Sequence, residues 1–194
     1  MTKRLLTTIL TTLLTAIGLQ AASSFTNVKL TVSGMTVTMS NGKTTIKIGS
    51  NGRASSMKWG SRELLDGSNG IYFDYTTAQG NKALSPTELK IIKQTDEMCE
   101  VLYSATSGNT IFQQGYIMRN DIAGVYTYVI ATGTATSASE PLKEVRVCTR
   151  LASDMLNGYV DYRMNGKLPT NAEMAEAEKN QIQDATYYLS DGSV

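Results

Sequence analysis

The sequence predicts an all-β domain of antiparallel strands arranged as a large sandwich or barrel. Strand-forming residues are abundant, and the 194 residues include 16 glycines but only 3 prolines, a composition typical of sheets joined by tight turns. Apolar and polar residues alternate in about ten short segments, which turn residues separate at intervals of roughly 8–12 residues. No period of about 20–50 residues repeats along the chain, which argues against propellers and solenoids.

Two Asn-Gly pairs organise the start of the domain as a meander. Asn41-Gly42 and Asn51-Gly52 favour tight hairpins, because both residue types tolerate positive φ. The alternating residues around these turns predict strands at positions 26–32, 35–39, 43–48 and 53–59. Each strand has an apolar and a polar side, which indicates an antiparallel sheet with one face in water.

The middle of the chain continues this pattern. Strands are predicted at positions 71–76, 88–95, 97–105, 110–119 and 125–132. Segments 60–70 and 77–86 are rich in turn residues and are predicted as loops, and segment 133–139 is predicted as a flexible connector.

The next predicted strand, at positions 142–151, has two chemically different faces. One face can bury against a sheet and carries Val145, Val147, Thr149 and Leu151. The other carries Glu144, Arg146, Cys148 and Arg150. The two arginines are separated by roughly 13 Å along the strand, at ~3.3 Å per residue. Two cations fixed on a rigid strand suit a long anionic ligand such as an acidic sugar chain, and we expect Arg146 to leave its sheet on the water-facing side.

The character of the sequence changes after residue 151. Segment 152–167 is irregular and rich in Tyr, Asp, Arg and Asn. A short helix is predicted near 171–179, because Thr170 and Glu173 have the spacing of a capping box. A strand at 186–189 and a turn at 190–193 follow, with no partner strand after the turn. We therefore expect one domain over residues 25–194 that is the N-terminal portion of a longer protein.

Residues 1–22 have the pattern of a secretory signal peptide. Lys3 and Arg4 form a basic start, an apolar run diluted by threonines follows at 5–19, and small residues come next at Ala21, Ala22 and Ser23. A membrane anchor is the alternative, but the run is short for a membrane span. We expect a secreted or periplasmic monomer that is soluble and makes no contact with the membrane.

Charge and residue usage exclude several classes of function. Lys and Arg number 18 and Asp and Glu number 17, a balance that argues against a nucleic-acid partner. The chain has no histidine, which excludes Ser-His and Cys-His nucleophile pairs. Phosphate-loop, dinucleotide, metalloprotease and calcium-loop motifs are also absent, and we expect no metal and no cofactor. Cys99 and Cys148 both fall in predicted strands, where a disulfide and two buried free thiols are the alternatives.

A cluster of cationic and aromatic residues is the candidate binding site. Its members are Arg146, Arg150, Tyr159, Tyr162, Arg163 and Lys167. The planar fork of arginine matches a uronate carboxylate, and tyrosine offers a flat face and a hydroxyl to a sugar ring. The alternative is a solvated strand face and a surface loop, with Glu144 paired to Arg146.

Segment 144–174 resembles the N-terminal domain of the rhamnogalacturonan lyases of polysaccharide lyase family 4. The matching residues are Glu144, Val145, Arg146, Arg150, Leu151, Ser153, Asp154 and Leu156. The resemblance implies an all-β, antiparallel supersandwich of the galactose-mutarotase-like type. It also implies binding of pectic rhamnogalacturonan I for β-elimination at galacturonate. By position, Arg146 would bind the substrate and stabilise charge on its carboxylate, and Arg150 would be a second substrate-binding residue.

The resemblance assigns no catalytic proton-transfer residue to this chain. In the family a lysine acts as base and a histidine as acid, and both would lie further along, so whether this chain is an enzyme by itself stays open. A non-catalytic carbohydrate-binding β-sandwich is the alternative from another class, because one fold hosts many functions. An aldose mutarotase is a weaker alternative, because that chemistry needs a histidine.

Overall fold

The computed structural model describes residues 24–67, 69–133 and 142–152, together with short elements at 158–160, 165–167, 171–177, 181–183 and 186–187. It confirms the predicted all-β class, since two antiparallel sheets pack face to face around one apolar core. The helix predicted near 171–179 is present as α1, Asn171–Ala177.

The larger sheet has eight strands in the described part of the chain. They are β1 (Lys29–Ser33), β2 (Thr36–Ser40), β3 (Thr44–Ile48), β4 (Ala54–Trp59), β5 (Arg62–Glu63), β6 (Ile71–Thr77), β7 (Gly80–Ala83) and β12 (Glu144–Thr149). Their spatial order is β1-β2-β3-β4-β6-β12, with β5 paired to β4 and β7 paired to β6. The first four strands form the meander that the Asn-Gly turns predict.

The smaller sheet is a four-stranded meander in the order β11-β10-β9-β8. Its strands are β8 (Glu88–Gln94), β9 (Met98–Ser107), β10 (Thr110–Arg119) and β11 (Tyr126–Gly133). Two further hairpins pair β13 (Gly158–Val160) with β14 (Asn165–Lys167), and β15 (Gln181–Gln183) with β16 (Thr186–Tyr187).

Three segments predicted without strands contain short ones. Strand β5 lies within the predicted loop 60–70, β7 within the predicted loop 77–86, and β13 and β14 within the irregular segment 152–167. Strand β7 is polar and begins at a glycine with φ of 105°, so it has no apolar alternation to reveal it. It is a strand because it pairs with β6, and this pairing cannot be predicted from the residues of β7 alone.

Aromatic side chains join the two sheets across the core. Phe73 and Tyr75 project from β6 and meet Phe112 of β10, with the Tyr75 and Phe112 rings stacked at 4.1 Å between centroids. All three side chains are at most 5% exposed. Truncating a buried aromatic of this kind costs about 3–5 kcal/mol, so this contact is a major part of the adhesion between the sheets.

Buried polar groups also tie the sheets together. The Tyr103 hydroxyl of β9 donates to the Met35 carbonyl at 2.9 Å, and the Tyr116 hydroxyl of β10 donates to the Gly52 carbonyl at 2.8 Å. Each bond runs from the smaller sheet to a turn of the larger one. The bonds fix the turns that begin β2 and β4, because a buried hydroxyl without a partner would be costly.

Asn41, in the first Asn-Gly turn, is fully buried and uses both ends of its amide. Its nitrogen donates to the carbonyls of Arg119 and Ile122 at 2.7 and 2.8 Å, and its oxygen accepts from the amides of Lys43 and Thr44. The side chain therefore closes its own hairpin and also pins that hairpin to the turn after β10.

The predicted burial of one face of segment 142–151 is wrong. Val145 and Val147 lie opposite Tyr75 and Phe73, on the core side of the larger sheet, yet they are 46% and 42% exposed. Strand β12 lies at the edge of this sheet in the described structure, so its core-side residues lie outside the area buried between the sheets. Residue alternation assigns a side chain to one face of a strand, but it does not show whether a second layer covers that face.

Both cysteines are free thiols, so the disulfide alternative is wrong, and of the expected two buried thiols only one is buried. Cys99 is buried in the core and Cys148 is partly exposed on the larger sheet. No helix in the described part of the chain has the length and apolar character needed to cross a membrane. The predicted signal peptide at 1–22, the segment 134–139 of the connector, Thr170 of the capping box and the turn at 190–193 lie outside the described residues.

The Glu63 carboxylate organises the hairpin of β4 and β5. It accepts hydrogen bonds from the Ser56 hydroxyl and from the backbone amides of Met57, Leu64 and Leu65. Burial raises the pKa of this carboxyl group, but these hydrogen bonds outweigh burial and hold the pKa below its usual value. The folded state therefore favours the ionised form.

We predict that Asn41→Ala lowers the free energy of unfolding by about 2–4 kcal/mol, because it leaves two carbonyls and two amides without their side-chain partner. Urea denaturation measures this loss. Asn51→Ala is the matched control, since Asn51 occupies the other Asn-Gly turn but is exposed and accepts one bond, from the Arg53 amide. We expect the control to cost about 1 kcal/mol or less. Equal losses in the two variants would contradict the role assigned to Asn41.

A second prediction concerns pH. Because the folded-state pKa of Glu63 is depressed, its stabilising effect is present above the unfolded pKa of about 4.3 and is lost as pH falls through the folded value. Glu63→Gln should therefore be less stable than the parent at pH 7, and this difference should shrink toward pH 3. Urea denaturation at both pH values measures the effect. Glu88→Gln is the control, since Glu88 forms only an exposed pair with Lys90. A gap that stays constant with pH would refute the prediction.

Candidate functional site

The pairing of β6 with β12 determines which residues meet on the solvent side of the larger sheet. Residues opposite each other in an antiparallel pair point to the same face. The register places Arg146 opposite Asp74 and Cys148 opposite Tyr72. Phe73 lies in the core, so its neighbours Tyr72 and Asp74 project to the opposite side. The Arg146 side chain therefore leaves the sheet away from the core.

Arg146 and Asp74 form a bidentate ion pair across these two strands. Nε and Nη2 of Arg146 donate to Oδ1 and Oδ2 of Asp74, both at 2.8 Å. The hydrogen bond from Arg146 holds the pKa of the Asp74 carboxyl group below its usual range, and the same bond raises the pKa of the guanidinium. Glu144 lies further away, with its Oε2 at 3.6 Å from Nε of Arg146. Asp74, rather than Glu144, is thus the main partner of Arg146.

Arg150 lies on the same side of the sheet but interacts differently. The Tyr72 side chain lies close to it and raises the pKa of the Arg150 guanidinium. No ion pair joins Arg150 to a carboxylate within the described residues, although its charge contributes to the lowered pKa of Asp74. Arg150 is exposed, whereas the Arg146 side chain is 38% exposed and the Asp74 side chain 7%.

A third guanidinium completes this surface. The Arg53 guanidinium lies 4.7 Å from the centroid of the Tyr72 ring, in a cation–π contact. We call this set the guanidinium row, and it consists of Arg53, Tyr72, Asp74, Arg146 and Arg150. With Glu144, whose Oε2 lies 3.6 Å from Nε of Arg146, this surface holds three cations and two carboxylates, so its net charge is positive by one.

The chemistry of the row suits binding of an anion. Guanidinium groups stay charged at neutral pH, so they can donate hydrogen bonds and stabilise negative charge, but they cannot remove a proton. A carboxylate on a sugar ring matches this donor arrangement. Among the described residues, no three His, Cys, Asp or Glu side chains are grouped as metal ligands.

The structure brings some of the predicted site residues together and leaves others undescribed. Arg146 and Arg150 share one face, as the alternation requires. Tyr159 and Lys167 lie in β13 and β14, whose side chains the structure does not describe. Tyr162, Arg163, Ser153, Asp154 and Leu156 lie outside the described residues.

Sequence reasoning missed the residues that surround the two arginines. Asp74, Tyr72 and Arg53 come from segments far from Arg146 in the sequence. One signal was available, because Asp74 is a lone acidic residue in the otherwise apolar and hydroxyl-bearing segment Ile71–Thr77. A charged residue in such a strand indicates a solvent-side position with a partner, but the register with β12 is needed to identify that partner.

Comparisons with known proteins agree with the resemblance seen in the sequence at the level of the family. The model of the rhamnogalacturonate lyase family matches residues 16–182. A rhamnogalacturonate lyase of Dickeya dadantii (strain 3937) is 30% identical over 195 residues, which is 95% of this chain and 33% of that protein. The chain thus spans about a third of the length of this curated relative. Because the family match covers most of the chain, including β6 and β12, the chain belongs to the rhamnogalacturonate lyase family.

Proposed function

We propose that this chain is the substrate-holding N-terminal part of a rhamnogalacturonan lyase, and that its guanidinium row binds the galacturonate carboxylates of rhamnogalacturonan I. The observation that carries the proposal is the solvent-side excess of guanidinium groups in a chain of this family. The relative from Dickeya dadantii is named for action on a rhamnogalacturonate, whose uronate groups are the anions that such a row would bind.

The proposed reaction explains why cations are needed at this position. In β-elimination, removal of the C5 proton of galacturonate builds negative charge on the adjacent carboxylate. A guanidinium held against that carboxylate stabilises the developing charge and makes the C5 proton more acidic. The protein groups on a rigid sheet keep their positions during the reaction, so little free energy is spent on reorganising them.

Arg146 lies in β12 and Arg150 directly follows this strand, and we assign the two arginines different roles. Arg146 uses Nε and one N–H of Nη2 on Asp74, and a guanidinium carries five N–H donors, so Nη1 stays available for a substrate carboxylate. Arg150 has no carboxylate partner among the described residues, so its charge is less compensated. We therefore assign the larger share of electrostatic attraction to Arg150, and an oriented contact to Arg146.

Proton transfer is assigned to residues outside this chain. The chain contains no histidine, and it spans about a third of the length of the curated relative. The lysine base and histidine acid expected for the family would therefore belong to the remainder of the polypeptide. We also propose export to the periplasm or the cell exterior, which is supported by the signal-peptide pattern of residues 1–22.

A carbohydrate-binding β-sandwich without catalytic activity is the second candidate. The missing histidine favours it, because this chain lacks the side chain most often used for proton transfer near neutral pH. The two candidates share the same binding face and differ only in whether bound polysaccharide is cleaved.

We predict that Arg150→Ala weakens binding of rhamnogalacturonan I oligosaccharides to this chain by about 10-fold or more, because a hydrogen bond to a charged group contributes about 1.5–3 kcal/mol. Isothermal titration calorimetry at low salt measures the affinity. Arg119→Ala is the control, since Arg119 is likewise an exposed arginine at the end of a strand, but it lies on the smaller sheet. Unchanged affinity in Arg150→Ala, or an equal loss in Arg119→Ala, would refute the assignment.

A further prediction tests catalysis in the full-length polypeptide that we propose contains this chain. That protein should cleave rhamnogalacturonan I and produce the ultraviolet absorbance of a new carbon–carbon double bond. Arg146→Ala should lower kcat/KM by about 10²-fold or more, as loss of one charge-stabilising donor typically does. A full-length protein that binds the polymer but never cleaves it would favour the carbohydrate-binding alternative, and normal activity in Arg146→Ala would remove Arg146 from the mechanism.

A further inference from the structure

A narrow crevice of about 50 Å³ leads from the guanidinium row toward the core. Its lining combines two residues of the row, Arg53 and Tyr72, with Asn51, Phe73, Ala83, Leu84 and Gln114. The crevice therefore connects a polar surface to the space between the two sheets.

Gln114 is an unusual residue for this position. It projects from β10 on the core side, in line with Phe112 and Tyr116, and it is only 1% exposed. Neither its amide oxygen nor its amide nitrogen has a hydrogen-bond partner among the described residues. The Tyr116 hydroxyl lies near this amide, but it donates its proton to the Gly52 carbonyl. A buried amide without partners is strongly unfavourable, so its two polar atoms require a ligand.

The chemistry and volume of the crevice restrict what this ligand can be. The amide needs both a hydrogen-bond donor and an acceptor, which a metal cation or a halide ion cannot supply together. A cation is further disfavoured by Arg53, a positively charged residue of the lining. A volume of about 50 Å³ is too small for a sugar ring, but it exceeds the space that one water molecule needs, which is on the order of 10–15 Å³ by the same measure.

We propose that the crevice is a binding site for a small cluster of ordered water molecules that hydrogen-bond both ends of the Gln114 amide. Buried water of this kind typically makes about three hydrogen bonds to polar groups and is part of the folded structure. Arg53 and Tyr72 of the guanidinium row also line the site, so the bound water would adjoin the row. The proposal does not depend on the function of that row.

The test combines NMR spectroscopy with thermal unfolding. In the unsubstituted chain, the side-chain amide protons of Gln114 should show cross-peaks to water of the sign that a long-lived bound molecule gives. Gln114→Met should lower the Tm by about 2–8 °C, because the substitution removes a satisfied buried amide and the partner of the bound water. Gln113→Met is the control, since Gln113 lies on the opposite side of the same strand and bonds the Ser104 hydroxyl. Its Tm should change by about 2 °C or less.

Two results would overturn the proposal. The first is the absence of a water cross-peak at the Gln114 side chain. The second is an unchanged or higher Tm in Gln114→Met, which is expected when an apolar side chain replaces an amide that has no partner. The NMR measurement uses the unsubstituted chain, so it decides the matter even if Gln114→Met fails to fold.

Discussion

The pairing of β6 with β12 is the constraint on which the candidate site depends. It aligns Asp74 with Arg146, and the resulting bidentate bond at 2.8 Å holds one guanidinium in a defined position on the solvent side. A shift of one residue in this register would move Arg146 to the core side and bring Val145 or Val147 to the solvent side. Strand β6 is itself held in place from the core side, where its Phe73 and Tyr75 pack against Phe112 of the smaller sheet.

The fold thus separates two tasks between the faces of one strand. The core side of β6 provides the aromatic contact that joins the sheets, and the solvent side provides Tyr72 and Asp74, which position Arg53, Arg150 and Arg146. Because the same strand does both, Tyr72 and Asp74, which contact the guanidinium groups, stand on a backbone that the aromatic core contact anchors. A site built on strands in this way is more precise than one built on loops.

The sequence was sufficient for the fold class but not for the full environment of the site. The Asn-Gly turns and the alternation around them located β1 to β4, and alternation put Arg146 and Arg150 on one face. Asp74 could not be identified as a partner, because its contact with Arg146 joins residues 72 positions apart. The exposure of Val145 could not be predicted from residue alternation either, since it depends on how far the smaller sheet extends over the larger one.

The most direct test of the central claim is a crystal structure of this chain with a galacturonate-containing oligosaccharide of rhamnogalacturonan I. We expect a uronate carboxylate on the solvent side of β6 and β12, with oxygens about 2.7–2.9 Å from guanidinium nitrogens of Arg150 or Arg146. An oligosaccharide bound elsewhere would contradict it, for example on the outer face of the smaller sheet beside Tyr126, which is 50% exposed.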